Sequence, residues 1–263
     1  MHRLLGLPGA VGLGLGSILG TGVFVSLALV AEISGALLLP AILLAALLAL
    51  FNALASAELA AAHPVSGGAY EYGHVWLNPS LGFVAGWVFL LAKSASAATA
   101  ALGVSAYLRH LNGGDADGLA VPLAVLTSIG VTALVISGLR RSNAVNMVIV
   151  SLTALALIAL IAASLLSESQ AGIGIPSADP GLDWRLLASA TALMFVAYTG
   201  YGRVATLAEE VRNPARVIPL AILLTLAISA ALYIGVGWAV VQASEAGVVL
   251  DAAGGAPLEA VAR

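Results

Sequence analysis

The chain has 263 residues, of which 61% are hydrophobic and only 9% are charged, and its mean hydropathy is +1.06. Water-soluble domains carry roughly 45–50% apolar and about 25% charged residues, so this composition excludes a soluble globular fold and predicts a protein surrounded by lipid. The absence of cysteine excludes disulfides and thiolate metal sites, and a net charge of −3 without a basic run predicts no nucleic-acid partner.

Apolar segments long enough to cross a lipid bilayer recur along the whole chain. A transmembrane helix needs about 20 mainly apolar residues. Seven segments meet this requirement: residues 7–31, 37–59, 80–108, 119–138, 144–166, 184–208 and 217–242. These continuous runs lack the alternation of barrel strands, which predicts an all-α membrane protein with about seven transmembrane helices. We number the predicted helices as spans one to seven.

The arginines in the short loops predict the orientation of the chain, because cytoplasmic loops carry an excess of basic residues. With the N-terminus in the cytoplasm, the inner loops hold Arg3, Arg140, Arg141, Arg212 and Arg216, and the outer loops hold Arg109, Arg185 and Arg263. The larger inner set favours a cytoplasmic N-terminus and an external C-terminal tail.

Span one is unusually rich in glycine, at positions 12, 14, 16, 20 and 22. One interpretation is packing, since Gly12, Gly16 and Gly20 share one helical face that would let another helix approach closely. The other is that Gly20-Thr21-Gly22 interrupts the helix at mid-membrane. Unpaired backbone groups are tolerated there only where they line a cavity.

Span six contains a second segment of this kind, Phe195 to Gly202, with glycine at 200 and 202. Interrupted helices at corresponding places in the two halves of a chain are typical of inverted-repeat transporters, which bind substrate between them. Spans one and six are five apart, as a repeat of five helices requires. Freed N–H groups at such breaks suit an anion, and freed carbonyl groups suit a cation.

Three blocks of sequence, in chain order, resemble the amino acid–polyamine–organocation superfamily of permeases. They are SILGTGVF at 17–24, PVSGGAY at 64–70, and FVAYTGY at 195–201 followed by AEEVRNPARVIP at 208–219. The resemblance covers the whole chain and implies a secondary transporter of the plasma membrane that carries small-molecule amino acids by alternating access. We expect neither an enzymatic activity nor a cofactor or metal ion.

The resemblance also implies the LeuT-type fold, in which two inverted repeats of five helices surround a mid-membrane site. Residues 1–167 would form the first repeat, 168–183 an external loop, and 184–263 the start of the second repeat. The fold would then be incomplete, with helices one and six broken. We therefore expect that the 263-residue chain does not transport by itself.

The resemblance places the substrate at the two interruptions. The backbone N–H groups of Gly20, Thr21 and Gly22, with the Thr21 hydroxyl, would hold its carboxylate. Its amino group would be held by backbone carbonyls, and the remaining predicted binding residues are Ile18, Val196, Ala197, Thr199 and Gly200. Backbone dipoles would thus neutralise both ends of a zwitterion without a buried charge.

Charged side chains near the spans predict the substrate class. Several family members that favour cationic substrates have an aspartate just after the sixth-helix break, where this chain has Gly202 followed by Arg203. This difference predicts neutral amino acids as the substrate.

Lys93 lies well inside span three, where an ionisable group costs roughly 2.5–3.5 kcal/mol, and it is a candidate coupling or gating charge that faces the protein interior.

The sequence is compatible with coupling to H⁺, with coupling to Na⁺ and with exchange. Some proton-coupled members have a lysine in helix five, and the corresponding residue here is Ser151. The sodium site of related carriers needs a helix eight, which is not among the seven spans.

Other functions explain the sequence less well. A non-transporting fragment or assembly partner is the main alternative. A seven-helix receptor would place the N-terminus outside and leave both interruptions unexplained. A retinal protein needs a lysine in its last span, which has none. An intramembrane protease needs either a serine and a histidine or two aspartates inside the membrane, whereas His63, His74 and His110 lie in or near loops and every aspartate lies in a loop or the tail.

Overall fold

The computed structural model describes residues 5–20, 22–111, 119–166 and 183–245. This part of the chain consists of helices joined by turns, with an isolated parallel pairing of Leu5 with Val211, so the all-α prediction is confirmed. Its α-helices are α1 (Leu7–Ile18), α2 (Leu27–Ser34), α3 (Leu38–Ala62), α4 (Ala69–Trp76), α5 (Pro79–Leu111), α6 (Ala120–Ile136), α7 (Leu139–Leu166), α8 (Trp184–Tyr198), α9 (Gly202–Ala205) and α10 (Pro214–Glu245). Thr21, most of the predicted loop 168–183 and the tail beyond 245 lie outside the described residues.

All seven predicted spans correspond to helical segments. Five are long and apolar enough to cross a membrane: Leu7–Ser34, Leu38–Ala62, Pro79–Arg109, Arg141–Leu166 and Pro214–Gln242. Span four is the 17-residue helix α6, and span six is divided between α8 and α9. The start of α10 at Pro214 agrees with the helix-start signal Asn213-Pro214, because proline is favoured in the first turn.

The outer faces of α5, α6 and α7 are apolar. Phe83, Leu126 and Leu152 are 65%, 66% and 62% exposed. Large apolar side chains exposed along several long helices are unfavourable in water and favourable in hydrocarbon. The chain is therefore a multi-pass membrane protein.

The core lies where α1, α3, α8 and α10 meet. Along α3, Ala41, Ala45, Ala49 and Ala53 recur every fourth residue and are fully buried, on one face of the helix. This helix packs against α10 and α8. Because lipid offers no hydrophobic drive for helix association, small side chains that permit close approach provide the packing.

Three connecting segments meet at one membrane face. The N–H of Leu5 donates to the Glu210 carbonyl at 3.0 Å, and the N–H of Arg212 donates to the Leu5 carbonyl at 2.9 Å. The N–H of Glu209 donates to the Ser66 hydroxyl at 3.2 Å. The start of span one, the loop after span two and the turn after span six therefore share a side of the membrane, as an even number of crossings between them requires.

Candidate functional site

The helix of span one is interrupted near its middle. The α-helix α1 ends at Ile18, Leu19 and Gly20 form a turn, and the chain continues as a π-helical segment, Gly22–Ser26, before α2. The N–H of Phe24 reaches the Gly20 carbonyl at 3.4 Å, a long hydrogen bond. The backbone at this point thus departs from regular α-helical bonding, and the predicted break in helix one is confirmed. Thr21, the middle residue of the predicted carboxylate site, lies outside the described residues.

The glycines of span one divide between packing and the interruption. A Cβ on Gly12 or Gly16 would collide with the side chains of Met147 or Asn146 of α7. The Asn146 amide also donates to the Gly12 carbonyl at 3.0 Å. Around Gly20 there is nothing within 4 Å of the position a Cβ would occupy. The packing interpretation therefore holds for Gly12 and Gly16, whereas Gly20 faces open space.

The sequence predicts non-helical backbone from Ala197 to Gly200, but the interruption in span six is milder than this and begins only at Thr199. The helix α8 continues to Tyr198, so Val196 and Ala197 belong to its last turn, and Thr199–Tyr201 form a 3₁₀ turn before α9. Thr199 explains the difference. Its N–H donates to the Val196 carbonyl, and its hydroxyl donates to the same oxygen at 2.8 Å, so the helix end tightens instead of unwinding.

The two interruptions lie against each other. A Cβ on Gly200 would come within 2.5 Å of both the Ser17 carbonyl oxygen and the Ile18 Cγ1. A Cβ on Gly22 would stand 3.2 Å from the Ala197 Cβ. The structure thus brings together Ile18 and Gly22 of span one with Ala197 and Gly200 of span six. The Val196 side chain points away from this contact and is 65% exposed.

Tyr233 of α10 joins the same contact and was not predicted from the sequence. Its fully buried hydroxyl donates to the Ile18 carbonyl at 2.8 Å, at the end of α1. The hydroxyl also occupies the space that a Cβ on Gly22 would need, and its ring packs on Tyr198 with centroids 4.9 Å apart. A tyrosine within an apolar span is typical of core packing, so the sequence carries only a weak signal, the spacing of Thr225, Ser229 and Tyr233 on one helical face.

An apolar cavity of about 400 Å³ adjoins Gly20. It lies between spans one, three and five, and most of its lining is aliphatic or aromatic. The residues from span one include Leu19, Gly20 and Phe24; those from α5 include Gly103, Val104 and Tyr107; and those from α7 include Asn146, Ile149 and Val150. Among the described residues that line this cavity, none is acidic.

Lys93 lies on α5 and is half-buried. Its Nζ is 5.5 Å from the centre of the Phe89 ring, within cation–π range. A second cation, Arg203 of α9, follows Gly202, where a Cβ would stand 3.9 Å from the Cε2 of the same Phe89 ring. Within the described ranges no carboxylate forms an ion pair with either residue, and the pair that does form, His63 with Glu71, lies between α3 and α4.

Comparison with known proteins gives a consistent result. A family model described as amino acid permease matches residues 9–246. An uncharacterized transporter of Mycobacterium tuberculosis is 41% identical over 249 residues, which are 92% of this chain and 53% of that protein. The branched-chain amino acid permease BcaP of Bacillus subtilis is 30% identical over 90% of this chain and 54% of its own.

Another relative is named for a different class of substrate. The cationic amino acid transporter 3, mitochondrial, of Arabidopsis thaliana is 30% identical over 92% of this chain and 42% of its own length. The chain spans about half the length of these curated relatives.

Proposed function

Because the chain belongs to the amino acid permease family, we propose that it forms part of a secondary transporter that carries neutral amino acids across the plasma membrane by alternating access. This proposal is supported above all by the contact between the interrupted spans one and six beside an apolar cavity. Backbone freed from helical bonding supplies the polar groups for an amino acid, and the cavity supplies room for its side chain.

The substrate's charged ends would be held by backbone atoms. Its carboxylate would approach the N–H groups of Gly20, Thr21 and Gly22, where Gly20 leaves open space. A carbonyl oxygen has two lone pairs, so the Ile18 carbonyl, which accepts one bond from Tyr233, can accept a second from the substrate ammonium.

The other proposed carbonyls differ in availability. The Val196 carbonyl already accepts two bonds from Thr199, so the Thr199 hydroxyl would have to rotate before Val196 could bind an ammonium. Ala197 and Gly200 lie in the contact with span one, which places their backbone next to the same end of α1. Of the predicted carbonyls, Ile18 is therefore the one we expect to contribute most.

The side chain of the substrate would enter the cavity beside Gly20. Its lining of Leu19, Phe24, Val104 and Ile149 favours aliphatic side chains over charged ones, because an unpaired charge is costly to desolvate. In the proposed orientation the N-terminus is cytoplasmic. Residues 1–167 would be the first repeat, and the second repeat would begin with α8.

We predict saturable uptake of leucine, isoleucine and alanine by the full natural polypeptide that contains this chain, reconstituted in liposomes. Unlabelled neutral amino acids should compete with labelled leucine, and arginine or putrescine should compete at least about tenfold less well, since a tenfold difference requires only about 1.4 kcal/mol. Tight binding of arginine with none of leucine would contradict the neutral substrate class.

The same uptake measurement should also be made with the 263-residue polypeptide alone. Gly20 and Val196 border open space, and the relatives are about twice as long, so we propose that further polypeptide encloses the interruptions. We expect no uptake by the 263 residues alone, as would also follow if the chain were an assembly partner. Substrate-competed uptake by this form would show that no further polypeptide is needed.

We also propose that Lys93 is a coupling or gating charge. An ammonium group in the middle of a span, 5.5 Å from the centre of the Phe89 ring and without a carboxylate partner among the described residues, is energetically costly, and charged groups kept within spans are typically functional. The same experiment tests whether the coupled ion is H⁺ or Na⁺. In Lys93→Met, uptake driven by an imposed proton or sodium gradient should fall at least severalfold, while counterflow exchange of leucine persists. Unchanged gradient-driven uptake would return Lys93 to a structural role.

A further inference from the structure

Lys93 and Arg203 form a pair of positive charges that the substrate site does not explain. The two residues come from different helices, α5 and α9. Phe89 links them: its ring lies under the Lys93 ammonium, and its Cε2 is 3.9 Å from where a Cβ on Gly202 would stand. Gly202 and Arg203 are neighbours in the chain. The face of α5 that carries Phe89 and Lys93 therefore lies against the turn of α9 that carries Arg203.

Lys93 lies beyond one end of the apolar cavity along α5. Residues seven apart share a helical face, so Lys93 lies on the face of α5 that carries Ala100 and Tyr107 into the cavity, about 10 Å nearer the start of α5. Arg203 follows the interruption at Gly200 by about one helical turn. Both cations therefore lie toward the membrane face where α5 begins, Lys93 beyond the cavity and Arg203 beyond the interruption at Gly200.

The charges of the pair are uncompensated in the described part of the chain. Neither forms an ion pair there. Lys93 is half-buried and Arg203 is exposed. Two like charges near each other raise the local potential, which attracts an anion and repels a cation. An ammonium and a guanidinium together are suited to a carboxylate, which can accept a forked bond from the arginine and a further bond from the lysine.

We propose that Lys93 and Arg203 form a carboxylate-binding charge filter beside the interrupted spans, which admits neutral amino acids and excludes cationic ones. This inference rests on the proposed amino acid transport. The carboxylate is that of the transported amino acid, held as it leaves the interruptions. An acidic side chain of the polypeptide could supply a carboxylate to the same pair of cations. The experiment distinguishes this side chain from the substrate carboxylate.

The test uses Lys93→Gln, Arg203→Gln and the double variant in the full natural polypeptide, reconstituted in liposomes. The control is Arg216→Gln, which removes an exposed positive charge in the first turn of α10. Uptake of labelled leucine is measured against unlabelled lysine and arginine. In the double variant these cations should inhibit at concentrations at least about tenfold lower than in the wild type, and the KM for leucine should rise severalfold. The control should match the wild type.

Three results would overturn the inference. An unchanged ratio of lysine to leucine inhibition in the double variant would show that the pair does not select by charge. A large fall in thermal stability with an unchanged ratio would assign the pair to an acidic side chain of the polypeptide. If the wild type took up no amino acid, the proposed function would fail together with this inference, whereas leucine uptake with unaltered selectivity would refute the charge filter alone.

Discussion

Replacing Gly200 by alanine should abolish transport and lower the thermal unfolding midpoint. The new Cβ would stand 2.5 Å from the Ser17 carbonyl oxygen and 2.5 Å from the Ile18 Cγ1. Overpacking typically costs about 1–3 kcal/mol, and the upper end applies here because a backbone oxygen cannot rotate out of the way. The collision would push span six away from the end of α1, which separates the two interruptions.

Gly202→Ala is the matched control, two residues further along the same segment. Its Cβ would meet only the Phe89 Cε2, at 3.9 Å, which is ordinary van der Waals contact. Both variants remove a glycine and add one methyl group, so their intrinsic effects on helix propensity are alike. Leucine uptake and the unfolding midpoint in detergent are the two measurements. If Gly200→Ala transported like Gly202→Ala, spans one and six would not be in close contact in the working carrier.

The helices were predictable, because the membrane imposes a simple rule on the sequence. A segment that crosses hydrocarbon must be apolar and about 20 residues long, and all seven segments predicted on that basis are helical. Glycine at 20 and 22 likewise predicted the interruption of span one. The end of α8 was harder to predict because it depends on one side chain, the Thr199 hydroxyl, which closes on the Val196 carbonyl.

The contacts between helices were not predictable from the same pattern. In apolar spans, polar residues are too few to mark which faces meet, and hydrophobicity does not distinguish a lipid-facing leucine from one in contact with a neighbouring helix. Gly200 and Ser17 touch although 182 residues separate them in the chain. Tyr233 and Ile18 are 215 positions apart, and their hydrogen bond became visible only when the fold brought α10 against the end of α1.

That hydrogen bond is the basis of the second large expected effect, in Tyr233→Phe. The substitution keeps the ring that packs on Tyr198 and removes the hydroxyl that donates to the Ile18 carbonyl. A buried acceptor that loses its donor costs about 1–3 kcal/mol, although hydrogen bonds between membrane helices average nearer 0.6 kcal/mol. We therefore expect a fall in stability of about 1 kcal/mol.

Transport should suffer more than stability. The Ile18 carbonyl is the proposed acceptor for the substrate ammonium, and Tyr233 fixes its direction, so a carbonyl that can reorient binds the substrate less well. We expect the KM for leucine to rise by about tenfold, which corresponds to about 1.4 kcal/mol of lost binding. If the maximal rate changes less than the KM, Tyr233 acts by positioning the substrate and not through the conformational change of the carrier.

Tyr198→Phe separates this role from a general loss of a buried hydroxyl. The Tyr198 hydroxyl is buried and has no hydrogen-bond partner within the described residues, although its ring contacts Tyr233. Removing a hydroxyl that makes no bond should leave stability unchanged or slightly higher, because a buried unpaired polar group is itself unfavourable. Leucine KM and the unfolding midpoint of the two variants are compared in the same preparation. Equal KM values in Tyr233→Phe and Tyr198→Phe would refute the proposed role of Tyr233, since the two variants differ in whether the lost hydroxyl holds the carbonyl at the end of α1.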